Sequence, residues 1–278
     1  MTPRLYAFCG ALALCATALP GQGWQTLTVE RAKLPRADLT VLVRHDVGKF
    51  SIRPTRDSVR YRAALRYDAR AVEPIYRYAA DSAALRIGTR ERPGTKRGEG
   101  RRMSDLELAL GSSGTLAVDV RAGAAETLLD LSGLPITMLS VSSGASDTRV
   151  LFDRPNPVRM KSLTLSTGAA SIVAERLGNA NAEEIVVRSA VGEIELDLSG
   201  TWQNDTELRA EVTLGALTIR VPADVGVHVE TSRVLAGFSH EGLTSRGGAF
   251  VSDNWDTAAR KLRIYAQTVI GYLTIEHR

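Results

Sequence analysis

Gly192-Glu193-Ile194-Glu195-Leu196-Asp197-Leu198-Ser199-Gly200 is the stretch whose pattern decides the fold class. Ile194, Leu196 and Leu198 alternate with Glu193, Glu195 and Asp197. Successive side chains of an extended strand point to opposite faces, so the run has one apolar face to bury and one charged face to leave wet. The same alternation returns in Ala216-Leu217-Thr218-Ile219-Arg220-Val221 and in Leu262-Arg263-Ile264-Tyr265. Each run meets a glycine with small neighbours. These glycines are Gly123, Gly144, Gly168, Gly192, Gly215, Gly237 and Gly271, at spacings of 21, 24, 24, 23, 22 and 34. A near-constant period of this length marks stacked repeats. The expectation is an all-β chain, a single β-solenoid-like stack of about 22–24-residue repeats, with each glycine turning a strand corner where φ must be positive. Hairpin turns of an antiparallel sandwich would also favour glycine. Asp130-Leu-Ser-Gly133 recurs as Asp197-Leu-Ser-Gly200, 67 residues on and close to three periods. The interval of 34 reads as one coil carrying an inserted loop.

Outside this region the pattern is less regular. Leu39–Val43, Gly48–Ile52, Val59–Tyr67, Pro74–Tyr78 and Ala84–Ile87 read as strands of an amino-terminal β cap. Helix signals are scarce, and Ala180–Ile185 after Asn179 is the best candidate. The chain divides into a signal peptide (1–23), a β cap (24–104) containing a basic loop (88–104), and a β-repeat region (105–278).

The first segment has Arg4, then an apolar run from Leu5 to Leu19, then Pro20-Gly21-Gln22-Gly23. A basic start, a short apolar core and small residues at its end make an export signal. The run is shorter than the ~20 residues needed to span a bilayer. Cys9 and Cys15 both lie inside it, so the mature chain has no thiol for disulfides, catalysis or metal binding. The protein is expected in the periplasm, at the cell surface or outside the cell, with no membrane-spanning helix after the signal.

The net charge of +4 has a local source. Arg90, Arg92, Lys96, Arg97, Arg101 and Arg102 stand against Glu91 and Glu99 in the loop. Aromatics make up only 5% of the chain, which with the export signal argues against a nucleic-acid partner. The loop reads as solvated. Its sharper reading makes Arg97, Arg101 and Arg102 a contact site for anionic lipid or polysaccharide.

Catalytic signatures are not found. The histidines at 45, 228, 240 and 277 have no metal-site spacing, and no nucleophile elbow, phosphate loop or dinucleotide motif occurs. No cofactor and no metal are expected. Asp119, Asp130 and Asp197 face outward by alternation, but three coils would put the last two ~14 Å apart, beyond a glycosidase pair. Trp202, Trp255, Tyr265 and Tyr272 either cap the carboxyl-terminal end of the core or offer a sugar-binding platform.

The glycine units, the Asp130-Leu-Ser-Gly-Leu134 step, Gly192–Gly200 and Ile219-Arg-Val-Pro-Ala-Asp-Val-Gly226 resemble the toast-rack family of bacterial β-repeat domains, which includes LiaF-like, cell-wall-active antibiotic response and adhesin-like members. The likeness covers roughly residues 36 to 278. It implies a non-enzymatic structural or binding module of the bacterial envelope, acting in stress response or adhesion on an envelope protein or polysaccharide. Regulatory members carry membrane-spanning helices before the repeat, and this chain has only the signal-like segment, which favours a free exported protein. The alternative from another class is a β-helix enzyme acting on polysaccharide. If residues 1–23 direct export, fusing residues 1–30 to a periplasm-dependent reporter gives an active reporter. Amino-terminal sequencing of the mature protein should then begin between Leu19 and Trp24, and a retained Met1 counts against it.

Overall fold

The computed structural model describes residues 23–32, 38–56, 58–94 and 104–278. The segment read as an export signal lies outside them, apart from Gly23. So do Arg97, Arg101 and Arg102. The described chain is all-β. β1 (Trp24–Ala32) and β2 (Leu39–Pro54) come first, followed by β3 (Val59–Asp68), β4 (Val72–Ala79), β5 (Ala84–Glu91) and β6 (Ser104–Leu110). β7 (Leu116–Asp130) precedes two broken rungs, β8 (Ile136–Ser143) with β9 (Thr148–Leu151) and β10 (Met160–Ala169) with β11 (Ile172–Glu175). Then come β12 (Ala182–Asp197), β13 (Thr206–Val221), β14 (Gly226–Glu241), the short β15 (Thr244–Arg246) and β16 (Ala249–Val251), and β17 (Lys261–His277).

These long strands pair in parallel and in register. β2 pairs with β7, β12 with β13, β13 with β17, and β17 with β14. Each is a rung with two arms meeting at a corner. In the first arm, one position runs through Val41, Val118, Leu139, Leu163, Ile185, Leu208, Ile264 and Val229. All of these are buried. A second such column, in the other arm, holds Ile52, Leu129, Val150, Ala174, Leu196, Ile219 and Ile275. Each large aliphatic side chain taken from water contributes about 1.5–3 kcal/mol.

The core departs from a plain column of coils. β7 pairs with both β8 and β9, β8 with β10, β9 with β11, and β10 and β11 both with β12. These six strands close a parallel ring, because β7 and β12 run unbroken through the corner while the rungs between them are interrupted there.

The corner glycines behave in two ways. Gly192, Gly215 and Gly271 are aligned across β12, β13 and β17, with φ of +148°, +140° and +134°. A Cβ on any of them would lie under 3.0 Å from a backbone oxygen of the preceding rung, on Ala170, Gly192 and Gly215 respectively. Gly123, Gly144 and Gly168 occupy a neighbouring column and lack positive φ, which corrects the expectation for them. Gly237 is also outside the set, because Ala236 aligns with Gly271 and Gly237 faces Tyr272. The glycine moves two residues along the rung between Gly168 and Gly192, which is why one interval is 24 although Thr167 pairs with Ser189.

Three other expectations change. The interval of 34 does carry an insertion, the β15–β16 hairpin, but the rungs do not follow sequence order: β17 lies between β13 and β14, although β13 and β14 are consecutive. The proposed helix at 180–185 is a 3₁₀ turn at Leu177–Ala180, flanked by Arg176 and Asn181 at φ 56°, and then strand. Asn179 spans two turns instead of capping, its Nδ2 donating to the Phe152 carbonyl (2.8 Å) and its Oδ1 accepting from Thr201 N (2.7 Å). Residues 88–91 of the expected basic loop belong to β5, and Arg90 and Arg92 both pair with Glu73.

At the other end, β2 already belongs to the parallel ladder, upstream of residue 105. Its free edge pairs in parallel with β5 and β6. These pair antiparallel with β4 and β3, and β3 pairs antiparallel with β1.

Gly215→Ala should destabilise the protein by about 2–4 kcal/mol, combining backbone strain with the collision against Gly192. Gly144→Ala, whose Cβ would stand 3.1 Å from the Gly123 oxygen without positive φ, should cost about 1 kcal/mol or less. Urea denaturation checks both, and equal losses would refute the two-column assignment.

Candidate functional site

Outward side chains at the corner change in kind along the parallel ladder. Ala169, Val191, Leu214, Ile270 and Leu235 are in register on successive rungs. Inside the corner there is room only for small groups; outside, solvent sets no upper size. Val191, Leu214 and Ile270 are 44–45% exposed and Leu235 is 73% exposed. Val234 and Tyr272 adjoin them at 70% and 49%. Six of the nine exposed large apolar side chains among the described residues therefore form one ridge. At strand spacing, Val191 to Leu235 spans about 14 Å.

Charge falls away on both sides of the ridge. On one flank Arg188 and Glu211, 3.5 Å apart, give way to Gln267 and Ser232. On the other, Glu193 gives way to Ala216, Tyr272 and Gly237. The last rung, β14, is paired along one edge by β17. On its other edge β16 pairs only with His228 and Val229 among the described residues. Phe250 of β16 packs on Phe238 (4.9 Å) and His240 (4.6 Å), so the hairpin closes the core while much of the backbone edge stays open.

The acidic residues singled out from the sequence are not gathered together. Asp119 pairs with Arg121 at 3.5 Å. Asp130 accepts Ser132 N at 3.1 Å, and Asp197 accepts Ser199 N at 2.9 Å and its hydroxyl at 2.8 Å. The repeated Asp-Leu-Ser-Gly step is thus a turn in which the carboxylate replaces a backbone acceptor. Asp197 does share a groove of about 400 Å³ with Glu175 and Glu195, a cluster that only strand register reveals. Glu175 pairs with Arg149 (2.6 Å) and Glu195 with Arg220 (3.1 Å).

The aromatics disperse. Trp255 lies in the carboxyl-terminal cap near Lys261 and Arg263, while Trp202 donates to the Leu198 carbonyl beside the 3₁₀ turn. Tyr265 lies under Arg209, and Tyr272 is on the ridge. Among the described residues no cluster of His, Cys, Asp and Glu could hold a metal, and no helix is long and apolar enough to cross a membrane.

His45 was not singled out for any role, yet it is fully buried where the stems of the basic loop meet. Its Nδ1 lies 3.3 Å from Thr89 Oγ1 on β5, and its Nε2 3.4 Å from Ser104 Oγ on β6. Ser104 donates to the Val47 carbonyl at 2.6 Å. Burial pushes the imidazole pKa down to about 4. An unfolded histidine titrates near 6.5, so between these values the unfolded chain binds the extra proton. Stability is then full above about pH 6.5 and falls as pH drops towards about 4, by roughly 3 kcal/mol at full extent. Chemical denaturation across this range should show the loss, and His45→Gln should flatten it.

Residues 25–173, more than half of the chain, match the family model described as the N-terminal domain of toast_rack, DUF2154. No curated protein matches the chain. Among solved structures, a "putative cell adhesion protein" from Clostridium sporogenes is 14% identical, with 90% of this chain and 99% of that one covered, at a TM-score of 0.46. A "putative adhesin" from Bacteroides fragilis is 11% identical, covering 91% and 97%, at 0.39. A "putative lipid binding protein" from Parabacteroides distasonis is 12% identical, covering 93% and 98%, at 0.38.

Proposed function

The chain belongs to the toast-rack family, and from that premise we propose that it is an exported, non-enzymatic structural or binding module of the bacterial envelope. Its in-register rungs act as turns of one solenoid-like stack, a rigid support for a contact surface. That surface is the apolar ridge, and its occupant is a second copy of the chain. The observation that carries this reading is the gathering of Val191, Leu214, Ile270, Leu235, Val234 and Tyr272 on one edge. Together they expose on the order of 500 Å² of apolar surface, the size at which such patches mark contact sites. A standard interface buries about 800 Å² per partner, so the ridge would form its apolar centre. Two ridges running antiparallel about a two-fold axis put Val191 against Leu235 and Leu214 against Ile270. The amino-terminal end is covered by antiparallel strands, which favours a closed pair over an open fibre.

Arg97, Arg101 and Arg102 stand as a second proposed contact, for anionic lipid or polysaccharide. One observation favours the enzymatic alternative: the groove holding Glu175, Glu195 and Asp197 brings acids to adjacent strands. Every one of them already has a partner, so the binding reading is preferred. Glu195→Gln abolishing polysaccharide cleavage by the purified protein would reverse that preference.

Sedimentation velocity should show a concentration-dependent dimer. Leu214→Glu should be monomeric, with stability within about 0.5 kcal/mol of the parent. A parent protein that stays monomeric at every concentration would remove the second copy as occupant.

A further inference from the structure

Arg60 is 2% exposed, and neither its Nε nor its Nη2 has a hydrogen-bond acceptor among the described residues. Arginine keeps its charge in proteins, and a buried charge is ordinarily paired. The register explains how the side chain came to be inside. β1 pairs with β3 through Arg31 opposite Tyr61 and then Ala32 opposite Val59, so nothing on β1 stands opposite Arg60. Arg60 is the extra residue of a β-bulge, a device that re-aims a side chain and is common beside functional sites. Val59, Arg60 and Tyr61 are buried in succession, which simple strand alternation does not allow.

A second guanidinium lies alongside. Arg31 is stacked 3.8 Å from the centre of the Tyr78 ring, and its Nε is also sealed from solvent without an acceptor. Burial lowers the pKa of Arg60 and the Arg31 charge lowers it further, while Tyr78 and Asp38 act in the opposite sense. Asp38 is the nearby acid, but its Oδ1 accepts from Thr115 N (3.3 Å) and Thr115 Oγ1 (2.7 Å). Two like charges thus share a partly buried aromatic corner in which no carboxylate among the described residues bonds to either.

We propose that Arg60 and Arg31, against Tyr78, form a binding site for an oxyanion, the phosphate or carboxylate group of a ligand. Nε and Nη2 lie on one edge of the guanidinium and donate in parallel, the geometry that grips two oxygens of such a group. Arg31 Nε adds a third donor. The bound anion neutralises both charges and satisfies the donors that folding leaves open. This site is independent of the corner ridge and lies at the opposite end of the stack.

The test is thermal melting of the protein in sodium phosphate, sodium glucuronate and sodium chloride at equal ionic strength. Phosphate, glucuronate or both should raise the melting temperature above that in chloride. A rise in phosphate alone identifies a phosphoryl ligand, and a rise in glucuronate alone a carboxylate. Arg60→Met keeps the bulk without the charge, so it should lose the rise and melt in chloride no lower than the parent. Should that variant fail to fold, calorimetric titration of Arg31→Gln decides, with affinity for the effective anion falling about tenfold, equivalent to ~1.4 kcal/mol. No anion-specific rise in the parent overturns the proposal, as does a rise that persists in Arg60→Met or an unchanged affinity in Arg31→Gln.

Discussion

Where a strand turns from one arm of its rung into the other, its backbone comes so near the preceding rung that no side chain fits between them. At Gly192, Gly215 and Gly271 a Cβ would run into the carbonyl oxygen of the rung before. Much of the structure depends on that close approach. It keeps β12, β13 and β17 in register through the bend, and register is what stacks each buried aliphatic on its counterpart. A slip of one residue would turn Leu196 outward and bring Glu195 into the core. Gly48 in β2, at φ +122°, meets the same constraint against the Ser104 oxygen, whereas the rungs β8/β9 and β10/β11 are broken at the bend.

Near each end of the parallel ladder a strand distant in sequence fills a slot between two others. β2 sits between β7 and the pair β5 and β6, while β17 sits between β13 and β14. In both cases chain-consecutive strands flank a slot filled from elsewhere. Parallel neighbours need a crossover connection, so such slots can be left open as the chain winds. The long-range pairing that fills them ties each end to the centre. It also makes β14 dependent on β17 for nearly all its strand pairing.

The ends differ in what they expose. The amino-terminal end is wrapped by β1, β3 and β4, and the bulge this requires turns Arg60 inward. The carboxyl-terminal end is plugged by Phe250 and its hairpin, which leaves the corner of β14 uncovered. Val191, Leu214, Ile270 and Leu235 point outward at the corner and lie outside the buried core.

Alternation was enough to read an all-β chain, because a one-sided core demands period two; the glycine spacing pointed to repeats, although only Gly192, Gly215 and Gly271 of the seven share the positive-φ column. The cap strands were legible too, although Leu39–Val43 and Gly48–Ile52 proved to be two arms of one strand. Residues 180–185 misled, since Asn179 resembles a helix cap but bonds backbone groups on two neighbouring turns. The order of the last rungs was not legible: hydrophobic period does not tell which strand lies next to which, so β17 could not be placed between β13 and β14. The same limit hid the ridge, the acidic groove and the buried guanidinium. Each is made of residues brought together across rungs or by a bulge. Local pattern determines which face of a strand is buried, while pairing in three dimensions decides what stands beside it.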